Sequence, residues 1–189
     1  LPDREPGPGA EVEGPGHVPF NQIPAQIRRE ARVCDGAPFY VLGPVVTDVA
    51  AGYDHISAAI GATSATCHGA ALLCYVTPAE HLGLPTSQEI HEGVMAFRLA
   101  AHAGDLARGL PGARDWDDAM TDARTQFDWE RQFEIAMDGD RARRRYRQGR
   151  NDKTHGSDFC SMCGRDFCAM RNSKKLREAL AAATASRKP

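Results

Sequence analysis

The chain has 189 residues, 42% of them apolar, a formal net charge of −2 and a pI of about 6.4. That length suffices for one domain with its own core, or for part of a larger one. The charge balance excludes a global basic field that would recruit nucleic acid or a membrane surface. No apolar run reaches the roughly 18 residues a bilayer span needs, and the polar, proline-rich start Leu1-Pro-Asp-Arg-Glu-Pro is not a secretory signal.

Residues 1–10 read as a flexible Pro/Gly lead. Three short apolar runs follow, each ending in polar residues. Glu11-Val-Glu-Gly14 leads to His17, Phe39-Tyr-Val-Leu42 to Thr47 and Asp48, and Leu72-Leu-Cys-Tyr-Val76 to Glu80 and His81. The second and third are rich in β-branched, aromatic and leucine residues, as buried parallel strands are. Helical patterns separate them. Residues 21–33 carry Ile23, Ile27 and Val33, and residues 54–66 form a helix that Asp54 is expected to N-cap, with His55 a packed neighbour. Thr86 or Ser87 caps a further helix with the stripe Ile90, Val94, Phe97, Ala101 and Leu106, ended by Gly109. Asp115 to Met137 repeats the apolar spacing as one more helical stretch.

Alternation of strand and helix predicts α/β crossovers on a parallel sheet. The polar residues then gather past the C-terminal strand ends, where (β/α) barrels keep their sites. Arg141-Ala-Arg-Arg-Arg-Tyr-Arg147 could touch phosphates, but such a run is more often a solvated helix face, and Tyr146 alone gives little aromatic interleaving. A polar linker spans 151–158, and an alanine-rich helix spans 172–185.

Cys160, Cys163 and Cys168 form C-x2-C-x4-C without a fourth cysteine nearby. Three thiolates fall one short of a closed tetrahedral zinc site, although His155 or a distant residue could complete one. They equally suit three irons of a cubane cluster whose fourth iron stays open to a small molecule. The spacing leaves both open. Cys34, Cys67 and Cys74 read as core thiols. Six cysteines without a signal sequence indicate a reducing cytosol. The absence of an initial methionine suggests a fragment or a processed product.

Five stretches, taken in order, resemble one family. They are Glu13-Gly-Pro-Gly-His-Val-Pro19, Phe39-Tyr-Val-Leu-Gly-Pro44, Gly52-Tyr-Asp-His-Ile56, Leu73-Cys-Tyr-Val-Thr-Pro-Ala-Glu-His-Leu-Gly-Leu-Pro85 and Phe159-Cys-Ser-Met-Cys163. From about Glu11 to Met170 the chain is similar to the C-terminal part of the ThiC family of thiamine biosynthesis, the phosphomethylpyrimidine synthases.

The resemblance implies the C-terminal portion of a (β/α)8 TIM-type barrel, followed by helices and an iron–sulfur segment. The divisions would be 11–112, 113–150 and 151–189. It implies a radical S-adenosylmethionine enzyme that converts 5-aminoimidazole ribotide to 4-amino-5-hydroxymethyl-2-methylpyrimidine phosphate. Cys160, Cys163 and Cys168 match the ligands of a [4Fe-4S] cluster, whose open iron takes the amino and carboxylate groups of S-adenosylmethionine. His17 and His81 match a pair binding a divalent metal, usually zinc. Glu13 and Tyr40 match substrate-contacting positions. Without the resemblance, His17 and His81 would read as turn and loop residues, Tyr40 as a core aromatic, and Glu80 as a carboxylate supporting His81 or simply exposed. The family also implies a homodimer and a one-electron donor protein. The same resemblance admits 5-hydroxybenzimidazole synthase of cobamide biosynthesis, with which Asp115-Trp-Asp-Asp-Ala-Met120 is compatible. A different class, a non-catalytic zinc-binding fragment, predicts a colourless protein. The earlier barrel strands and their phosphate and imidazole contacts are not in this chain, so it is expected to be a poor catalyst alone, with an uncovered sheet edge.

Overall fold

Three parallel strands hold the N-terminal part together. The computed structural model describes residues 12–14, 16–149, 159 and 162–185. Strands β1 (Val12–Gly14), β2 (Phe39–Leu42) and β3 (Leu72–Cys74) lie in the order β1-β2-β3. Glu13 stands opposite Tyr40, and Tyr40 opposite Leu72. Helices α1 (Ile23–Val33) and α2 (Asp54–His68) make the two crossovers, and α3 (Ser87–Arg108) follows β3. The expected α/β character therefore holds, with a small parallel sheet in a mostly helical chain.

Side chains alternate across a strand. Phe39 and Val41 of β2 are buried with Val18, Ile23, Ile27, Ala65 and Ala70, which places α1 and α2 on their side of the sheet. Tyr40 and Leu42 fall on the opposite face, where Leu42 is 38% exposed. Leu72 of β3 is 43% exposed. The expectation of strands buried on both faces is thus met on one face only.

Val33 departs from the expected α1 stripe and is exposed. It lies six residues beyond Ile27, which at 3.6 residues per turn rotates it roughly 120° off that face. α3 differs more instructively. Of the two expected caps Thr86 is the one used, in a capping box: Thr86 Oγ1 accepts from Glu89 N–H, and Glu89 accepts from Thr86 N–H. Gly109 ends it in the left-handed region. Its buried residues, however, are Gly93, Phe97, Ala100 and Gly104, not a large apolar stripe. The cause is close approach. A Cβ on Gly104 would meet the Thr66 side chain of α2, and one on Gly61 of α2 would collide with the Pro44 carbonyl. Val45, Ala58, Ala62, Val76, Phe97 and Ala100 fill the resulting thin core.

The chain divides into two compact units, Leu1–Arg114 and Asp115–Pro189. In the second, the helix expected from Asp115 to Met137 is two: α4 (Ala113–Gln126) and α5 (Trp129–Ile135). Phe127 takes a positive φ of 57°, and Asp128 caps α5 by accepting from Arg131 N–H at 3.0 Å. Apolar spacing cannot see that break, because Ala123 and Phe127 before it and Phe133 and Met137 after it keep the same four-residue interval. α6 (Gly139–Gln148) carries the arginine run. Its Tyr146 packs against Trp129 and Phe133, with ring centres 4.6 and 5.1 Å apart, and Arg143 lies over Phe133. α7 (Gly164–Phe167) and α8 (Ala169–Ala185) complete the described elements.

Gly61→Ala should lower stability by about 1–3 kcal/mol, because the Pro44 backbone must move. A urea unfolding midpoint that did not fall would show that the α2–sheet contact is compliant.

Candidate functional site

The sheet's backbone pairing does not stop where β1 and β2 end. Val18 N–H donates to Val45 O at 3.1 Å, and Val45 N–H donates to Gly16 O at 2.7 Å. This isolated parallel bridge, His17 opposite Val45, carries the β1–β2 register onward. His17 is therefore fixed by backbone pairing at the C-terminal end of the sheet. His81 arrives in the loop after β3, with a positive φ of 62°.

The two imidazoles meet. Their ring centres lie 5.2 Å apart at an interplanar angle of 51°. With Asp48, Ala51 and Asp54 they line a pocket of about 270 Å³. Each ring is held through Nδ1: His17 by Asp48 Oδ1 at 2.8 Å, and His81 by Asp54 Oδ2 at 3.0 Å. An ionised carboxylate can only accept, so each Nδ1 carries a proton, and in the neutral ring the lone pair is then on Nε2. That is the form in which histidine binds a metal. Two imidazoles sharing a zinc at about 2.0–2.1 Å with tetrahedral angles have ring centres roughly 5 Å apart, so the pair fits such an ion. Among the described residues, no group of three or more potential ligands converges.

Asp54 is the main revision to the sequence reading. It does not N-cap α2; Tyr53 occupies that position, and Asp54 begins the helix. Its buried carboxylate turns to His81 instead, in the first turn where the helix dipole favours negative charge. The support considered for Glu80 falls to Asp54; Glu80 adds only a through-space charge. Asp48 was noted in sequence only as a polar residue after β2. No local signal pairs it with His17, since 31 residues separate them.

Ser57, one turn into α2, completes the arrangement. Its hydroxyl lies 3.2 and 3.3 Å from Val46 N–H and Thr47 N–H as acceptor, and it donates to Thr47 O at 3.2 Å. The segment bearing Asp48 is thereby tied to the helix that bears Asp54. His55 packs beside them; burial pushes its pKa down, and its Nδ1 is buried without a hydrogen-bond partner. A larger cavity of about 890 Å³ adjoins His17 and extends along α1 past Glu30, whose carboxyl burial pushes up.

The remaining expected site residues are placed as follows. Tyr40 lies on the sheet face away from the helices, opposite Glu13 in register. Cys163 and Cys168 flank α7 at its two ends, Cys163 half-buried and Cys168 buried. Cys160 lies outside the described residues, as do residues 150–158. The histidine pair belongs to the first unit and these cysteines to the second.

A parallel α/β unit that gathers histidines and carboxylates past its strand ends is the layout of an α/β enzyme site. The chain belongs to the radical SAM ThiC family, whose model matches residues 4–175. It is 59% identical over 179 residues to a phosphomethylpyrimidine synthase of Halobacterium salinarum, covering 92% of this chain and 37% of that protein. It is 62% identical over 168 residues to one of Moorella thermoacetica, covering 89% and 38%. The chain thus spans somewhat over a third of the length of these curated relatives. Among the described residues, no helix is long and apolar enough to cross a membrane.

The hydrogen bond that His81 donates to Asp54, with added attraction from Asp54, Glu80 and Asp48, raises the His81 pKa above its ordinary value against a smaller desolvation effect. A raised folded-state pKa means that this contribution to stability is complete below the unfolded value, about 6.5, and is lost as pH rises through the folded value. NMR titration of the metal-free protein should place the His81 midpoint above that of an unfolded peptide, and Asp54→Asn should bring it down. An unshifted midpoint in the parent protein would contradict the Asp54 contact.

Proposed function

We propose that this chain forms the C-terminal part of a phosphomethylpyrimidine synthase. The substrate would be 5-aminoimidazole ribotide and the product 4-amino-5-hydroxymethyl-2-methylpyrimidine phosphate. One observation carries this reading: the family match runs from residue 4 to 175, and so includes His17, His81 and all three C-terminal cysteines. The relatives are phosphomethylpyrimidine synthases, which favours this reaction over the benzimidazole alternative.

In this reading, the chain supplies the last strands of a (β/α)8 barrel. Cys160, Cys163 and Cys168 would hold a [4Fe-4S] cluster. Three thiolates suit a cluster that keeps one iron open, which is the requirement for S-adenosylmethionine to chelate. Such a cluster supplies the electron for reductive cleavage of S-adenosylmethionine. His17 and His81 would hold a divalent metal, zinc, with two positions left for substrate or S-adenosylmethionine groups. Tyr40 can donate or accept a hydrogen bond to a substrate group on the open sheet face, and Glu13 is its register neighbour on β1. The protein would work in the cytoplasm as a homodimer and take electrons from a small one-electron donor protein.

Anaerobic iron–sulfur reconstitution tests the assignment. The expected result is a brown protein whose reduced cluster gives an electron paramagnetic resonance signal that shifts on adding S-adenosylmethionine. Cys163→Ser and Cys168→Ser should each lose that signal. A colourless protein holding zinc at the three cysteines would sink the radical assignment for this chain.

A further inference from the structure

Each histidine of the pair contacts a carboxylate through Nδ1, and both carboxylates are fixed by one element. Asp54 is in the first turn of α2. Asp48 sits one residue past Thr47, whose N–H and C=O are both clamped by Ser57 of the same helix. Asp54 is buried, whereas the Asp48 side chain is 81% exposed. Asp48 therefore has no burial requirement to explain its position against His17.

We infer that Asp48 and Asp54 are positioning residues which lock His17 and His81 with protonated Nδ1 and so present both Nε2 lone pairs to one divalent cation, with Ser57 holding the Asp48 arm to α2. This rests on reading the histidine pair as a metal site. The roles differ by arm. Asp54 acts on His81 from a rigid helix. Asp48 acts on His17 through a three-residue segment that depends on the Ser57 hydroxyl. Loss of Ser57 should thus disturb His17 and leave His81 unchanged.

Two measurements on the full chain separate this inference from the metal reading beneath it. The first uses metal-free protein at a pH above the histidine range and reads the tautomer from imidazole nitrogen chemical shifts. Both rings should be Nδ1–H in the parent. Asp48→Ala and Ser57→Ala should return His17 alone to the free-imidazole mixture, and Asp54→Asn should do so to His81 alone. A parent in which either ring is an unbiased mixture, or variants that leave the shifts unmoved, would overturn the positioning role whether or not metal binds.

The second measurement titrates cobalt(II), whose thiolate charge-transfer bands distinguish cysteine sites from the histidine pair. Removing a carboxylate that orients a ligating histidine typically costs 10–100-fold in metal affinity. Asp48→Ala and Asp54→Asn should each weaken cobalt(II) by about that factor at the histidine site. Parent-like affinity in both would also overturn the inference. If the parent and His17→Ala bind cobalt(II) alike at non-thiolate sites while the tautomers follow the carboxylates, the metal reading fails. The proposal then falls with it, because nothing remains for the locked rings to present lone pairs to. Asp48→Ala alters an exposed side chain, so misfolding cannot explain its outcome.

Discussion

Two backbone hydrogen bonds, between Val18 and Val45 and between Val45 and Gly16, determine whether this structure has a site at all. β1 and β2 are three and four residues long, too short to carry order far beyond their ends. The bridge continues their parallel register to His17. It also anchors the segment that runs from Val45 through Thr47 to Asp48. A histidine and its carboxylate, far apart in sequence, are thereby fixed on adjacent backbone strands and not left on two independent loops. The entropy of aligning the ring is largely met by pairing that the sheet already makes.

α2 supplies the other half of the frame. Its small residues allow it to sit closely on the sheet and on α3, so its N-terminal turn lies against the strand ends. Asp54 and Ser57 then reach the loops after β3 and β2 respectively. The rigidity of the site comes from alanine and glycine packing in the helix layer. The charged groups are carried on that layer and do not create it.

Much of this was legible in the sequence. The three apolar runs, the Thr86–Glu89 cap and the Gly109 stop sit where local chemistry puts them, because each depends on residues within a few positions. The histidines were legible only through ordered motifs; spacing of 64 residues says nothing about proximity. Asp48 and Asp54 were not legible as partners. A carboxylate at a helix start satisfies the N-cap pattern equally well, and only the fold shows that its oxygen turns to His81. The α3 stripe held at Phe97 but missed the glycines and Ala100 for a related reason. Hydropathy marks large side chains, while a close helix pair buries glycines. The break at Phe127 was invisible because the apolar residues on either side of it keep helical intervals, and nothing in hydropathy marks the positive φ.

The tight α2–α3 seam joins places that look unrelated. Gly104 presses on Thr66, twelve residues along α2 from Asp54. At 1.5 Å per residue that is a rod about 18 Å long. A rod gripped at its far end acts as a lever: a small tilt imposed at Thr66 displaces the Asp54 turn, while the Ser57 clamp drags the Asp48 segment with it. Both imidazole supports would then shift in concert and not separately. Replacing Gly104, which touches neither ring, would retune how the two rings face each other without altering any residue that contacts them.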